Sequence, residues 1–300
     1  MSIEIKRQLL LLLYISPILL FDPSSTKTST FEAKLLTLFK IDYQVKTLKR
    51  ARISSDIVNH NFLIKLSENQ ILSKINSFAS KVKVLVELGS NTDIGEIYSK
   101  SNNCLFISID NSIDFLKQNS SSNNNLVIDE NNLPFKQESL SGVISCLYVD
   151  SIIDSENLFK NIYKILKKDG FLIFSIFGTK TMENVKECFI KIEEKRYSGI
   201  SLRFNPLFDL NLIGNDLKKI GFKNVIVETE IIKVKYNSLF RLMLDLRGMG
   251  MTNNLLNRSK FFTPKSLFDE VNELLIKDNK NKEFLVPFEI ITLTAWKDNL

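Results

Sequence analysis

Between residues 82 and 177, short apolar runs alternate along the chain with segments whose apolar positions recur every three or four residues. Continuous apolar runs of this length are typical of strands that are buried on both faces of a parallel sheet. The amphipathic segment 158–166 predicts a helix, with Phe159, Ile162 and Ile165 on one face. Strands that alternate with helices indicate an α/β fold with a doubly wound sheet. The five predicted strands are 82–88, 105–109, 126–128, 143–147 and 171–177.

The segments on either side of this core predict further helices and two more strands. Residues 31–78 have apolar positions at helical spacing, which predicts helices that pack on the sheet. Lys167–Gly170 predicts the end of a helix, with cations in the last turn and a glycine just beyond it. Thr263 and Pro264 predict the start of the last helix, because a hydroxyl cap followed by proline is a common start signal. Downstream we expect helices at 181–195, 210–220, 239–246 and 264–276, and strands at 224–227 and 288–296.

An apolar run at residues 9–21 follows Lys6 and Arg7. This run is shorter than the roughly 20 residues that a helix needs to cross a bilayer, so we expect no stable membrane span. It resembles a signal peptide but lacks a small-x-small cleavage site after it. Three interpretations remain: a buried or interfacial helix, a weak membrane anchor, or an extension outside the domain. We favour an extension over 1–34 and a single domain over 35–300. We expect a cytoplasmic protein, a mitochondrial one in a eukaryote, or a membrane-associated one if the run is an anchor.

Composition narrows the classes of function. The chain has 300 residues, of which 44% are hydrophobic and 25% are charged, as is typical of a globular protein with a sizeable core. The formal net charge is +6, but the basic residues are scattered apart from Lys46–Arg52, so we expect no nucleic-acid partner. Cys104, Cys146 and Cys188 do not have metal-ligand spacing, and we expect no metal site. His60 is the only histidine, which argues against a Ser-His-Asp triad.

The stretch Val82–Gly95 predicts a strand, a tight turn and a helix, which is the nucleotide-binding arrangement of doubly wound sheets. Glu87 lies near the end of the strand, and Gly89 follows at the turn. One interpretation is an ordinary βα turn, because a single glycine after a strand is a weak signal. The other is the turn acid-x-Gly-x-Gly-x-Gly of class I S-adenosylmethionine-dependent methyltransferases. Asn91 and Asp93 then replace two glycines; both residue types tolerate left-handed backbone, but their side chains would crowd a ligand.

Acidic residues follow the second and third predicted strands. Asp110 ends the second strand, near the place where such folds hold a pair of ribose hydroxyls, although a solvent-facing strand end is the alternative. Asp129 and Glu130 follow the third strand, and Asp129 is placed to accept from an adenine amino group. On the methyltransferase interpretation the cofactor is S-adenosylmethionine. The expected binding residues are Glu87, Gly89, Ser90, Asp110, Asp129 and Glu130.

Several motifs resemble those of one enzyme family: Glu87-Leu88-Gly89, Asp129 with Leu133-Pro134-Phe135, Ile165–Gly170, and the most specific, Asp245–Asn253 (DLRGMGMTN). From about Phe39 to Trp296 the chain resembles class I methyltransferases of the methyltransferase-11 type. Within that group it is most similar to the mitochondrial complex I assembly factors that carry a methyltransferase fold, and to their alphaproteobacterial relatives. The malonyl-carrier-protein O-methyltransferases are the next most similar.

The resemblance implies a Rossmann-like sheet of seven strands, with the last strand antiparallel and inserted beside the fifth. It also implies that segments near 179–220 and 239–285 cap the substrate side. In the family a His-Trp pair that faces the substrate follows the fourth strand, and here those positions are Asp150 and Ser151. The chain therefore departs from the family both at the cofactor glycines and at this pair.

Three functions follow from the resemblance. The first is methyl transfer to a protein or carrier-protein acceptor. The second is arginine hydroxylation of a respiratory complex I subunit, and the third is a non-catalytic assembly role with a degenerate cofactor site. Methyl transfer needs mainly alignment of donor and acceptor, so no acid–base pair need appear in the sequence. Arg203 and Arg247 could bind an acidic acceptor or partner, but a structural ion pair is the expectation that we favour for each.

Overall fold

The computed structural model describes residues 40–78, 82–119, 124–130, 132–148, 155–207, 209–260, 262–277 and 282–298. The expected N-terminal extension, residues 1–34, lies outside these ranges, as do Asp150 and Ser151. Within these ranges, no helix combines the length and the apolar character that crossing a bilayer requires.

One sheet forms the centre of the described fold. Its strands are β1 (Val84–Leu88), β2 (Leu105–Asp110), β3 (Asn125–Val127), β4 (Leu140–Cys146), β5 (Leu166–Phe177), β6 (Lys223–Tyr236) and β7 (Phe284–Trp296). They lie in the order β3-β2-β1-β4-β5-β7-β6. The first five strands pair in parallel, and β7 runs antiparallel to both of its neighbours, β5 and β6. The predicted doubly wound sheet of seven strands, with the last one antiparallel beside the fifth, is confirmed.

Helices connect and cover these strands. They are α1 (Tyr43–Ile53), α2 (Phe62–Phe78), α3 (Ile94–Ser101), α4 (Ile113–Asn119), α5 (Ser155–Ile165), α6 (Glu183–Tyr197), α7 (Leu210–Ile220), α8 (Leu239–Gly248) and α9 (Lys265–Ile276). A short 3₁₀ turn, Ile57–Asn59, lies between α1 and α2. The segment 31–78 was expected to form helices, and its described part, 40–78, contains α1, the 3₁₀ turn and α2.

Successive side chains of the central strands point to opposite faces of the sheet, and each face has its own buried cluster. In β1, Leu85 belongs to one cluster and Val86 to the other; in β5, Ile173 and Phe174 divide in the same way. Helices α2, α6, α8 and α9 contribute to the first cluster, and α5 and α7 to the second. Because both faces are covered, most residues of β1, β4 and β5 are buried, and these strands lack a regular polar alternation.

Strand β6 is much longer than the predicted strand at 224–227. Most of its residues are exposed or half-buried, so its apolar pattern weakens long before its pairing ends. The pairing with β7 continues as far as Tyr236 opposite Phe284, which also places the start of β7 four residues before the predicted one. Helix α4 was not predicted, because it has only seven residues and too few apolar positions for a periodic signal.

Two predicted helix ends are wrong. Helix α5 ends at Ile165, and the segment Lys167–Gly170 already belongs to β5, with Asp169 rather than Gly170 in the left-handed region (φ 60°). Helix α9 has Pro264 at its N-cap position, and this residue makes no side-chain capping hydrogen bond. The hydroxyl of Thr263 instead accepts from Arg203 Nη1 at 2.9 Å. A tertiary contact has therefore replaced the expected cap.

The motif Asp245–Asn253 joins distant elements of the fold. Asp245 Oδ1 lies 2.8 Å from His60 Nδ1, and its Oδ2 accepts from the Tyr236 hydroxyl at 3.0 Å. Gly248 leaves space for the His60 ring, because a Cβ at this position would lie 2.1 Å from His60 Cδ2. The motif thus holds the 3₁₀ region, β6 and α8 together.

We predict that Gly248→Ala destabilises the protein, because the backbone must shift to admit a methyl group against His60. The free energy of unfolding should fall by about 1–3 kcal/mol in urea denaturation. Gly199→Ala is the matched control, because the nearest atom to its new Cβ lies at 3.8 Å, and its change should stay within about 0.5 kcal/mol. Equal stability of the two variants would contradict this packing.

Candidate functional site

The turn after β1 brings Gly89 against the ring of Tyr148. Gly89 has φ 101°, and a Cβ there would lie 2.1 Å from Tyr148 Cγ, so only glycine fits. The next residue, Ser90, is also left-handed with φ 39°. Neither Asn91 nor Asp93 has a positive φ, so the tolerance of these residue types for left-handed backbone is not used in this turn. The turn needs left-handed residues earlier than the glycine pattern suggested.

The side chain of Glu87 is hydrogen-bonded to the backbone of this turn. Its Oε1 accepts from the amides of Asn91 at 3.2 Å and Thr92 at 3.1 Å, and from the Thr92 hydroxyl at 2.8 Å. The side chain is fully buried, and burial raises its pKa to about 8. Its Oε2 has no hydrogen-bond partner among the described residues. Glu87 therefore holds the turn after β1 in place, and with this pKa it is mainly protonated at neutral pH.

The two residues that replace glycines are held in different ways. Asn91 Nδ2 donates to the carbonyl of Cys146 at 2.7 Å, which ties the turn to the end of β4. Asp93 is exposed, and its carboxylate pairs with Lys65 at 2.5 Å. The negative charge of Asp93 is thus compensated at the surface. Asn91 instead lies against Cys146 and Arg50, in the region at the carboxyl ends of β1, β2 and β4 that we call the cleft.

Arg50, from α1, binds the polar groups at the ends of β1 and β2. Its Nε donates to Asp110 Oδ2 at 2.9 Å, and its Nη2 contacts Asn91 Oδ1 at 2.5 Å as well as the Gly89 carbonyl. The guanidinium lies 3.3 Å from the centre of the Phe115 ring. Asp110 is fully buried; burial raises its pKa, and Arg50 opposes that rise. Asp110 therefore lies in the cleft and not at a solvent-facing strand end.

Lys46, one helical turn before Arg50, binds the acid that follows β3. Its Nζ contacts Glu130 Oε1 and lies 4.6 Å from the centre of the Tyr148 ring. The Tyr148 hydroxyl donates to Glu130 Oε2 at 3.4 Å. Glu130 is buried, whereas Asp129 is exposed. Of the two acids predicted at this position, the structure brings Glu130 into the cleft and leaves Asp129 at the surface.

Sequence reasoning missed Lys46 and Arg50 as residues of the site. Both lie in the basic run Lys46–Arg52, for which we predicted no binding site. The available signal was their spacing of four, which places two cations on one face of a helix. Both side chains are buried, so the run is partly a structural feature of the cleft.

A cavity of about 260 Å³ adjoins these α1 side chains. Its walls are mainly aromatic, leucine and methionine side chains from β5, α6, α8 and the loops beside them. Arg203 lines it and pairs with the buried Glu193, with Nε 2.7 Å from Oε1, so the structural ion pair expected there is confirmed. Arg247 is exposed and makes no ion pair with any described residue, so the same expectation was wrong for it.

The residues of the cleft fit S-adenosylmethionine in kind. Beside the carboxylates of Asp110 and Glu130, three buried polar atoms have no hydrogen-bond partner in the described part of the chain: Glu87 Oε2, Ser90 Oγ and Asn111 Oδ1. Unpaired buried polar atoms are uncommon in folded proteins and suggest a missing ligand or water. The carboxylates themselves are bound by Arg50 and Lys46, so these cations would compete with a ligand for them.

The fold is that of class I S-adenosylmethionine-dependent methyltransferases. Residues 86–174 match the family described as "Methyltransferase domain". Two solved structures align with 77% of this chain over their whole length: a candidate methyltransferase from Bacillus halodurans (TM-score 0.51, 14% identity) and YcgJ from Bacillus subtilis (TM-score 0.52, 11% identity). At these identities the structural likeness shows the fold alone. The resemblance to class I methyltransferases is confirmed.

The proteins of similar sequence fall into two named groups. "Arginine-hydroxylase NDUFAF5, mitochondrial" from Homo sapiens is 25% identical over 276 residues, covering 88% of this chain and 78% of the human protein. The protein of that name from Mus musculus is 28% identical over 179 residues, which is 51% of its length, so the chain matches only about half of that relative. "Malonyl-[acyl-carrier protein] O-methyltransferase" from Gallionella capsiferriformans is 25% identical over 165 residues, 55% of each chain. The predicted similarity to both groups is confirmed.

We predict that Glu87→Gln gains stability over the wild type as pH rises from 5 to 8. The folded-state pKa of Glu87 is raised from 4.5 to about 8, so in this window the unfolded chain releases a proton that the folded chain keeps. The wild type therefore loses stability as pH rises to about 8, and the neutral amide does not. Urea denaturation at several pH values measures the difference. The exposed Glu96→Gln is the control, and a pH-independent difference for Glu87→Gln would show that the carboxyl titrates normally.

Proposed function

We propose that this protein is a methyltransferase that uses S-adenosylmethionine, and that α1 closes its cofactor site in the described conformation. The observation that carries the proposal is the meeting of two buried carboxylates, Asp110 and Glu130, beside the Gly89 turn at the carboxyl ends of parallel strands. Ligands of doubly wound sheets bind at that edge. The match to the methyltransferase domain family supports the same cofactor.

When bound, S-adenosylmethionine supplies an activated methyl group, so the chain has only to bind, orient and shield the reactants. Asp110 and Glu130 would accept from hydroxyl or amino groups of the nucleoside. Gly89 and Ser90 would bring backbone close to the ligand, and Asn111 Oδ1 offers a free acceptor. Asp129 is exposed, so we assign the contact with the nucleoside to Glu130, and Glu87 hydrogen-bonds to the turn itself. No general base is required of the described residues.

Two ion pairs of helix α1 must open before the cofactor binds. Arg50 and Lys46 occupy the acceptors that a nucleoside would use, so the competent state is one in which these ion pairs have opened. The apparent affinity of a ligand falls by the fraction of molecules in the competent state. We therefore expect binding to be weaker than the chemistry of the cleft would otherwise allow.

The first test is calorimetric titration of the full chain with S-adenosylmethionine and S-adenosylhomocysteine. We predict measurable binding that weakens by about tenfold or more in Asp110→Asn, because charged hydrogen bonds contribute roughly 1.5–3 kcal/mol. Asp114→Asn, an exposed acid on α4, is the control and should bind like the wild type. Absence of heat and of any thermal shift at millimolar ligand, with a folded protein, would overturn the proposal.

The second test concerns α1 itself. We predict that Lys46→Met binds S-adenosylhomocysteine more tightly than the wild type, because the ion pair between Lys46 and Glu130 no longer has to break before the ligand binds. Lys100→Met removes an exposed ion pair on α3 and should leave the affinity unchanged. Weaker binding by Lys46→Met in the same titration would mean that Lys46 assists the ligand rather than competing with it.

A second candidate function is arginine hydroxylation or a non-catalytic assembly role, as the resemblance to complex I assembly factors implies. The observations that favour it are the match to the human relative over 88% of this chain and the occupied carboxylates. A complex I subunit would then be the partner, and mitochondria the compartment named for these relatives. Mass spectrometry of a candidate acceptor separates the chemistries, since methyl transfer adds a methylene and hydroxylation adds an oxygen atom.

A further inference from the structure

The cavity beside α1 has an unusual distribution of charge. Five cationic residues line it, and no Asp or Glu of the described chain does; the five are Lys46, Lys49, Arg50, Lys186 and Arg203. The rest of the lining is mostly apolar, including Phe177, Leu242 and Met251. An apolar pocket with a few convergent polar groups is the usual form of a small-molecule site. Here every charged group on the walls is positive.

Three of these cations have carboxylate partners that lie behind the walls. Lys46 pairs with Glu130, Arg50 with Asp110, and Arg203 with Glu193. Their charges are therefore balanced within the protein. They hold α1 and Arg203 in place, and they do not by themselves call for a ligand.

Lys49 and Lys186 are different, because neither has a carboxylate within ion-pair distance among the described residues. Lys49 Nζ donates to the Asn253 carbonyl at 2.5 Å, and Lys186 Nζ donates to the Thr179 carbonyl at 3.3 Å. An ammonium has three donors, so each lysine has capacity to spare. Glu183 and Glu289 act on Lys186 only through their field, and the Glu289 carboxylate already accepts from the Lys180 amide and the Thr229 hydroxyl.

Burial of these ammonium groups without a counter-charge is costly. Lys186 is only 7% exposed, and burial lowers its pKa to about 8, while burial likewise lowers the pKa of Lys49 to about 8. Both groups remain mainly protonated at neutral pH. An anionic group inside the cavity would accept hydrogen bonds from Lys49 and Lys186 and would supply the negative charge that these ammonium groups lack.

We propose that this cavity binds the acceptor of the reaction, and that the acceptor is an amphipathic anion whose apolar body lies on the aromatic and methionine walls while its head group binds Lys186 and Lys49. The inference rests on the proposed function, since it names the substrate class of the same site. It also separates the candidates above, because a guanidinium in this cavity would add a cation and meet no carboxylate on its walls. An arginine acceptor is therefore disfavoured.

The test compares four probes that share one apolar body, in calorimetric titrations of the full chain. Octanoate and octyl phosphate carry anionic heads, octanol a neutral one and octylguanidinium a cationic one. We expect at least one anion to bind about tenfold or more tightly than octylguanidinium, and the tighter of the two anions identifies the head group as carboxylate or phosphate. Octylguanidinium binding as tightly as both anions would overturn the inference.

Variants on one helix assign the anion to its residue. Lys186→Gln should weaken binding of the tighter anion about tenfold and leave octanol unchanged, whereas Lys191→Gln, an exposed lysine of the same helix, should change neither. Unchanged anion binding by a folded Lys186→Gln would overturn the assignment. Titration with S-adenosylhomocysteine separates this inference from the proposed function. Anion binding without cofactor binding would contradict the proposed function alone. Cofactor binding without anion binding would contradict this inference alone.

Discussion

The buried ion pair between Arg50 and Asp110 is the interaction on which the arrangement of the site depends. Asp110 stands at the carboxyl end of β2 with no exposure to solvent, so its charge must be balanced from within the fold. Removing one partner of a buried pair typically costs about 3–5 kcal/mol, because the other is left uncompensated. The sheet thus presents a carboxylate that requires a cation or a ligand, and α1 supplies the cation.

The N-terminal end of α1 is bound to the loop at residues 249–258. The amide of Asp42 donates to the Asn254 carbonyl at 2.8 Å, and the Asp42 carboxylate pairs with Arg258 at 3.0 Å. Ile41 also forms an isolated antiparallel bridge with Leu255. The loop at 249–258 is itself bonded to Asn205, which accepts from the Asn254 amide at 2.8 Å. Helix α1 is therefore in contact with the loop that lines the cavity, and on the proposed function its movement would link cofactor binding to acceptor binding.

The core of the fold was predictable because its signals are local. Apolar runs identify strands buried on both faces, and the helical spacing of Phe159, Ile162 and Ile165 identifies a covering helix. The long ribbon of β6 and β7 was underestimated, because pairing along an exposed strand leaves little apolar pattern. The antiparallel place of β7 came from the family resemblance, since no periodicity encodes strand order.

The site was predictable only in part. Gly89, Asp110 and Glu130 were predicted as site residues because strand ends can be located along the sequence, and the structure places them near one another. Lys46 and Arg50 were missed, since they reach the site from more than 35 residues before the turn, and sequence distance hides that contact. Which of two adjacent acids faces the cleft also depends on backbone direction at the end of β3, which composition does not reveal.

The central claim is that α1 must release Asp110 and Glu130 before a cofactor binds. Hydrogen–deuterium exchange of the full chain, with and without saturating S-adenosylhomocysteine, tests it most directly. The account predicts that amides of α1 lose protection when the ligand is bound, while those of α5 on the opposite face of the sheet are unchanged. Bound ligand with unchanged or increased protection of α1 would contradict it, and would mean that the cations receive the cofactor where they stand.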